Sequence, residues 1–201
     1  GTTSLPGETG ETLTLQNVAT DQTGAYHVFV SNPYGAVSSV KAVLAVNDPF
    51  APPANDRFAD GAPLSGLAVS VTNSNANATR EVGEPNHAGK AGGNSIWWTW
   101  TMPQDGTVTI STAGSTVDTV LVVYTGTSLA SLISVVSNDD DPTGGTSSLV
   151  KFRTQAGVAY QIAVDTFGGQ TGTVRLSLAA EIERPVLRAA VSGRNIVLSW
   201  P

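Results

Sequence analysis

The chain of 201 residues contains no cysteine, which excludes disulfide bonds, thiolate metal sites and a cysteine nucleophile. Lys and Arg number only 10 against 16 Asp and Glu, and this net charge of −6 argues against a nucleic-acid partner. No apolar run approaches the ~18–20 residues that a membrane span needs, so membrane insertion is not expected. Charged residues make up only 13% of the chain, so Ser, Thr, Gly and Asn provide much of the solvation.

What the chain does contain is a β-strand pattern. Apolar and polar residues alternate in short runs that are separated by Gly, Pro, Asn and Asp. The close spacing of these runs favours a sandwich or jelly roll over a parallel sheet with crossover helices. Strands are predicted at 12–15, 25–31, 36–46, 66–72, 95–101, 106–112, 117–124, 132–137, 148–154, 159–165 and 172–178.

The segment 47–57 is rich in proline and is interpreted as a linker, because proline cannot pair within a central strand. Residues 1–46 then form one domain and residues 58–180 a second, with a further β-domain opening at 185–201. The first and last of these are expected to be partial domains. Leu13, Leu15 and Val40 are therefore expected to be exposed, beside an unpaired sheet edge.

The first domain resembles the end of an immunoglobulin-like domain. Leu13 and Leu15 precede the element Asp21-x-x-Gly24-x-Tyr26, and a turn signal follows at 32–35. The resemblance implies a tyrosine corner, in which the Tyr26 phenol bonds to upstream backbone, and a hairpin between the last two strands.

The middle domain resembles the bacterial pre-peptidase C-terminal domain, a β-jelly-roll that is appended to secreted enzymes and surface proteins. The resemblance implies a non-catalytic accessory role and no particular ligand. The sequences that carry it are Asn55-Asp56-x-Phe58-Ala59-Asp60, Glu81-x-Gly83-Glu84-Pro85-x-His87-Ala88-Gly89, Ser95-Ile-Trp-Trp-Thr-Trp100, Asp118-Thr119-x-Leu121-x-Val123-Tyr124, Asn138-Asp139-Asp140 and Tyr160-x-Ile162-Ala163-Val164-Asp165.

Residues 185–201, which end in Asn195-Ile-Val-Leu-Ser-Trp200, resemble the opening of a fibronectin type III-like domain. In that family such a Trp200 packs into the core, and the alternative is an exposed tail residue. The predicted fold class is therefore all-β, a partial immunoglobulin-like sandwich plus a jelly-roll-like β-sandwich.

An acidic run, Asp139-Asp140-Asp141, followed by glycines, is the strongest metal candidate. Calcium takes six to eight hard oxygen ligands from flexible loops, and clustered carboxylates supply several of them. Asp118 and Asp165 lie at predicted strand ends and would add oxygens if those ends meet. The run is not an EF-hand, and a solvated turn is the alternative, since Asp and Asn favour turns.

Strand alternation places Ile96, Trp98 and Trp100 on one face and Trp97 on the other. The first set is predicted to be core. An exposed Trp97 would bind a ligand by stacking on a sugar ring or anchoring a partner protein. The alternative, which we favour, is that the long loop 73–94 folds over this indole.

Glu81, Glu84 and His87 lie within that loop and raise the question of zinc or acid–base chemistry. The chain has only two histidines and no His-Glu-x-x-His motif. We therefore favour a structural role, in which hydrogen bonds from these side chains pin the loop.

Together these observations predict a non-catalytic extracellular spacer, adhesion or binding module from a large multidomain bacterial surface or secreted protein. A calcium-assisted carbohydrate-binding module and an accessory domain of a secreted hydrolase or protease are the alternatives. The expected partners are a protein or carbohydrate surface ligand and the neighbouring domains of the same chain. Calcium is the one cofactor that the sequence suggests.

Overall fold

The computed structural model describes residues 3–143, 145–184, 187–192 and 195–199. Its elements are β-strands and four single-turn 3-10 helices, Thr20–Gln22, Phe58–Asp60, Leu129–Ser131 and Phe167–Gly169, so the predicted all-β class is confirmed. Among the described residues, no helix has the length and apolar character to cross a membrane. The chain divides into two compact units, Gly1–Ala51 and Pro52–Pro201, and the division falls inside the predicted linker.

The first unit contains four short strands in two antiparallel pairs. Strand β1 (Gly24–Tyr26) pairs with β4 (Ala42–Leu44), and β2 (Phe29–Asn32) pairs with β3 (Gly35–Ser38). The prediction of unbroken strands at 25–31 and 36–46 is therefore wrong, as is the strand at 12–15. The two long strands break at the same place, because the Ser39 hydroxyl replaces a backbone partner and accepts the Val28 amide at 3.0 Å.

Two local predictions for this unit are confirmed. The Tyr26 hydroxyl donates to the backbone carbonyl of Gln22 at 2.7 Å, as expected of a tyrosine corner. Asn32 closes the β2–β3 hairpin, since its side-chain oxygen accepts the Tyr34 and Gly35 amides. These bonds fix turns without burying apolar surface.

Apolar side chains of the first unit are open to solvent. No residue in the range 3–51 is fully buried, and Val40 and Leu13 are 92% and 40% exposed, as expected. Leu15 is half-buried.

The second unit is a β-sandwich. Its strands are β5 (Ala62–Leu64), β6 (Ala68–Ser74), β7 (Ile96–Thr101), β8 (Gly106–Ser111), β9 (Thr119–Thr125), β10 (Ile133–Asn138), β11 (Leu149–Thr154), β12 (Ala159–Thr166) and β13 (Thr173–Ile182). One sheet has the order β10-β9-β12-β7-β5 and the other β11-β8-β13-β6. All eight strands predicted for this region are present within a few residues of their expected bounds.

Strand β5 was not predicted, because it is three residues long and contains Pro63. It lies at the edge of the five-stranded sheet and is parallel to β7, whereas every other pairing is antiparallel among the described strands. An edge is where a sheet tolerates proline.

The main core lies between the two sheets. It includes Ile96, Trp98 and Trp100 of β7, as predicted from strand alternation, together with side chains of the facing strands β8, β11 and β13. A second, smaller core lies on the outer face of the five-stranded sheet, so that β9 and β12 are buried on both faces. This second core consists of Trp97, Val122, Tyr124 and Ala163, with Phe58, Ala88, Leu129 and Leu132 packed against it.

After the sandwich the chain forms an antiparallel hairpin of β14 (Arg188–Ser192) and β15 (Asn195–Ser199). Two strands are thus present where the sequence predicted the opening of a β-domain. The two alternatives for Trp200 lie outside the described residues, as does Gly144 in the acidic loop.

The two units should differ in backbone protection. We expect amides in the range 12–46 to exchange rapidly and those of β7, β9 and β12 slowly, because only the sandwich strands are buried. Hydrogen–deuterium exchange with mass spectrometry measures both in one experiment. Strong protection throughout 12–46 would contradict this assignment.

Candidate functional site

The outer face of the five-stranded sheet carries the most unusual chemistry of the chain. Trp97 lies directly opposite Ala163 on the neighbouring strand, and Ala163 lies opposite Val122 on the strand beyond. Because alanine is small, it leaves space beside the indole. An apolar face of this kind must be covered, and the cover comes from the loop before β7.

Trp97 is 1% exposed, so the hypothesis of an exposed stacking platform is corrected. Its indole contacts the rings of Phe58 and His87, with centroids 5.3 and 5.4 Å away, and lies 6.1 Å from the Tyr124 ring. The favoured alternative, in which the 73–94 loop folds over the Trp97 indole, is confirmed. The cover also uses Phe58, which precedes that loop.

A buried polar network holds the loop in place. The His87 ring bonds through Nε2 to a Glu84 carboxylate oxygen at 2.8 Å and through Nδ1 to the Tyr124 hydroxyl at 2.9 Å. The same Glu84 oxygen accepts a short hydrogen bond from the Ser95 hydroxyl. The other Glu84 oxygen accepts the Glu81 amide at 2.8 Å. Exposure of Glu84, His87, Ser95 and Tyr124 is 5% or less.

The hydrogen bonds determine where the protons lie. Burial by itself raises the pKa of Glu84, but the hydrogen bonds from His87, Ser95 and the Glu81 amide outweigh it and lower the pKa below its ordinary value. An ionised carboxylate only accepts, so His87 Nε2 carries a proton. In neutral His87, Nδ1 then accepts from the Tyr124 hydroxyl. Burial, together with the charges of Glu84 and Asp165, raises the pKa of Tyr124 to about 12 and keeps that proton in place.

This arrangement is suited to fixing a loop. A nucleophilic serine needs its hydroxyl on the imidazole nitrogen, whereas the Ser95 hydroxyl bonds to the carboxylate. Both His87 nitrogens are already engaged within the protein. Glu81 is not part of the network through its side chain, which instead accepts the Phe58 amide at 2.6 Å.

The structure separates the five predicted metal ligands into two groups. Asp118, Asp139 and Asp140 lie close enough to Lys90 that the hydrogen bond and charge of Asp139, followed by the charges of Asp140 and Asp118, raise the pKa of Lys90. Asp141 and Asp165 have other roles. Asp141 accepts the Thr143 amide and hydroxyl at 2.9 Å each, as in a turn.

Asp165 pins the segment that leads into β7. Its Oδ1 accepts the amides of Gly93 and Asn94 at 3.1 Å and of Thr166 at 2.7 Å. Gly92 passes so close that a Cβ there would collide with the Asp165 carboxylate. The carboxylate thus acts as a backbone clamp.

The acidic group contains a cation that the sequence did not identify. Lys90 Nζ lies 2.6 Å from Asp139 Oδ2 and 5.1 Å from the Phe167 ring centroid. Burial first, then the charges of Asp140 and Asp139, raise the pKa of Asp118. The Oδ1 atoms of Asp118 and Asp139 are buried and have no hydrogen-bond partner. Among the described residues, no three His, Cys, Asp or Glu side chains are arranged to hold a metal ion.

The chain enters the sandwich through a hydrogen-bonded clamp. Asn55 and Asp56 are buried, although the sequence placed them in the linker. Asn55 exchanges two bonds with the backbone of Trp97, at 2.9 and 3.0 Å. The Asp56 carboxylate accepts the Thr79 amide at 2.5 Å and the Thr79 hydroxyl at 2.9 Å.

Two depressions flank the covered Trp97. The larger, of about 740 Å³, is the outer groove and is lined by Phe58, Ala59, Glu81, Thr99, Thr127, Ser128, Leu129, Ala130 and Gln161. The smaller, of about 340 Å³, is lined by Pro85, Asn86, Ala88, Gly89, Tyr124, Leu129, Leu132, Ser134 and Ser137. Both share Leu129, so they are neighbours on the same face.

No protein-family model and no curated protein matches the sequence. Among solved structures, the chain is similar to PliG of Aeromonas hydrophila, a periplasmic inhibitor of g-type lysozyme. That match has 15% identity and a TM-score of 0.43, and covers 60% of this chain and 96% of PliG. It is also similar to the pre-peptidase C-terminal domain of a Bacillus anthracis collagenase, at 14% identity and a TM-score of 0.39, over 60% and 94% of the two chains.

The second of these structures belongs to the class that the middle domain resembles in sequence. The immunoglobulin-like and fibronectin type III-like resemblances are not confirmed by the comparisons. At these identities and scores, neither structure bears on the function of this chain.

Replacing Glu84 tests the network through pH. Because the folded-state pKa of Glu84 is lowered, its stabilising contribution is present above the unfolded value of about 4.3 and is lost as pH falls through the folded value. We expect Glu84→Gln to cost about 1.5–3 kcal/mol at neutral pH and to weaken the loss of stability below about pH 4.3. Urea unfolding across that pH range measures both.

Tyr124→Phe is the matched control, since it removes the hydroxyl from His87 but leaves the Glu84 charge. It should lower stability by about 1 kcal/mol and preserve the acid dependence. Equal pH slopes for the original protein and Glu84→Gln would contradict the assignment.

Proposed function

We propose that this chain is a non-catalytic extracellular spacer and binding module of a larger bacterial surface or secreted protein. The clamp at Asn55 and Asp56 is the observation that carries the proposal. It ties the incoming chain to β7 and to Thr79 just before the sheet begins. A segment that only connected two domains would not need buried polar anchors.

The end of the sandwich is also held by hydrogen bonds. Strand β13 is the last strand of the two sheets and is hydrogen-bonded to β6 on one side and β8 on the other. A force that pulls on both ends of the sandwich therefore acts on the clamp at Asn55 and Asp56 and on β13, which is hydrogen-bonded on both sides. Both must shear several hydrogen bonds before the sandwich opens.

Single-molecule pulling on the chain tests the spacer role. We expect a resolved unfolding step for residues 52–184, and Asp56→Ala should lower both the unfolding force and the stability, the latter by about 1.5–3 kcal/mol, because the Thr79 amide and hydroxyl lose a charged partner. Asp60→Ala is the control, since the Asp60 carboxylate makes no hydrogen bond or ion pair with the described residues. Extension without a resolved step would contradict the proposal.

A calcium-dependent form of this module is a second candidate. Its support is the pair of buried, unpartnered Oδ1 atoms on Asp118 and Asp139, which offer hard oxygen ligands at one end of the sandwich. Lys90 competes for the same carboxylates. A cation at this end would offset the burial and the repulsion from Asp140 and Asp139, which together raise the pKa of Asp118.

Thermal unfolding with calcium and with chelator tests this candidate. Binding should stabilise the sandwich by about 2.7–4.1 kcal/mol at 100–1,000 times the dissociation constant. Asp118→Asn should remove the calcium response. Asp141→Asn is the matched control and should retain it. An unchanged melting temperature would favour the solvated turn.

A further inference from the structure

We propose that the outer groove binds a neutral sugar ring. This inference goes beyond the spacer role and does not depend on it. It concerns a different set of residues from the buried Trp97 and from the acidic end of the sandwich. Its volume of about 740 Å³ lies in the range of small-molecule sites.

The groove contains a buried amide with unused hydrogen-bonding capacity. Gln161 is 9% exposed and lies opposite Thr99 in the sheet. Its Oε1 accepts the Thr99 hydroxyl at 2.7 Å, but its Nε2 reaches only the Gly126 carbonyl, at 3.5 Å. A primary amide has two N–H donors, and burying them without good acceptors is unfavourable. A ligand oxygen in the groove would satisfy this amide.

A carboxylate and a hydroxyl complete the polar set. Glu81 lines the groove, and its Oε2 accepts the Phe58 amide at 2.6 Å. A carboxylate has two oxygens and accepts strong hydrogen bonds from hydroxyl groups. Thr127 is exposed and adds a hydroxyl that donates and accepts. Adjacent hydroxyls on a sugar ring match this mixture of donors and acceptors.

The remaining lining favours a ring that is apolar on its faces and uncharged. Phe58 and Leu129 are partly exposed and contribute apolar surface. No Lys, Arg or His is among the residues that line this groove in the described part of the chain, and its one charged side chain is Glu81. An anionic ligand would meet repulsion there. A neutral pyranose presents C–H groups on its faces and hydroxyls at its edge, as the lining requires.

The test is a nuclear magnetic resonance titration of the full 201-residue chain with two neutral probes, maltotriose and tri-N-acetylchitotriose. We expect at least one trisaccharide to shift the Gln161 side-chain amide and the Thr99 and Thr127 backbone amides, at low millimolar concentration. Gln161→Met, which keeps side-chain length, and Thr127→Val, which keeps shape and removes no internal bond, should each weaken binding about tenfold or more.

Ser134→Ala, in the smaller depression, is the control and should leave affinity unchanged. No shift with either sugar would overturn the proposal, as would shifts that survive Gln161→Met and Thr127→Val in folded variants. Shifts caused by N-acetyl-lysine amide and not by the sugars would overturn it in favour of a basic peptide ligand. None of these outcomes affects the pulling experiment, so failure of the sugar site and failure of the spacer role are distinguishable.

Discussion

The five-stranded sheet is apolar on both faces, and this constraint shapes the rest of the sandwich. One face meets the second sheet across the main core, as in any sandwich. The other is covered by irregular segments of the same unit, which serve as its second layer in the described part of the sandwich. The long loop before β7, the entry segment and the turn after β9 are all placed by that requirement.

Irregular segments carry backbone groups that no strand pairs with, and the polar network supplies hydrogen-bond partners for some of them. Glu84 accepts hydrogen bonds from the backbone and from two side chains at once, so its buried carboxylate is fully hydrogen-bonded while the loop lies over apolar surface. Not every buried polar atom is satisfied, because the Trp97 indole nitrogen and the Asn55 side-chain oxygen have no hydrogen-bond partner. Ala88, beside His87, adopts a positive φ of 49°. The cover is therefore stable and locally strained at the same time.

The strands were predictable because their signal is local. Alternation along β7 assigns Trp98 and Trp100 to the core and Trp97 to the opposite face without reference to any other strand. The tyrosine corner at Tyr26 was likewise readable, since both partners lie four residues apart. The strand break at Ser39 was not predictable. The Ser39 hydroxyl bonds to the Val28 amide of the paired strand, and the sequence alone does not show that these two residues are neighbours.

The site was less predictable, because its partners are distant in the chain. Glu84 and His87 were recognised as loop-pinning residues, but Tyr124 lies 37 residues beyond His87 and carries no local sign of the contact. Lys90 was missed for the same reason. The sequence offered Asp118 and Asp165 as ligands only on the condition that their strand ends meet. Asp118 lies near Asp139 and Asp140, whereas the Asp165 carboxylate binds backbone amides beside Gly92.

Strand β5 has a consequence for how this sandwich meets other chains. The open edge of a sheet can pair with an exposed strand of another protein. Pro63 has no amide hydrogen, so the strand at this edge of the five-stranded sheet offers fewer donors to an incoming strand. Strand β5 thus places Leu64 in the main core and at the same time disfavours the pairing of a second chain at this edge.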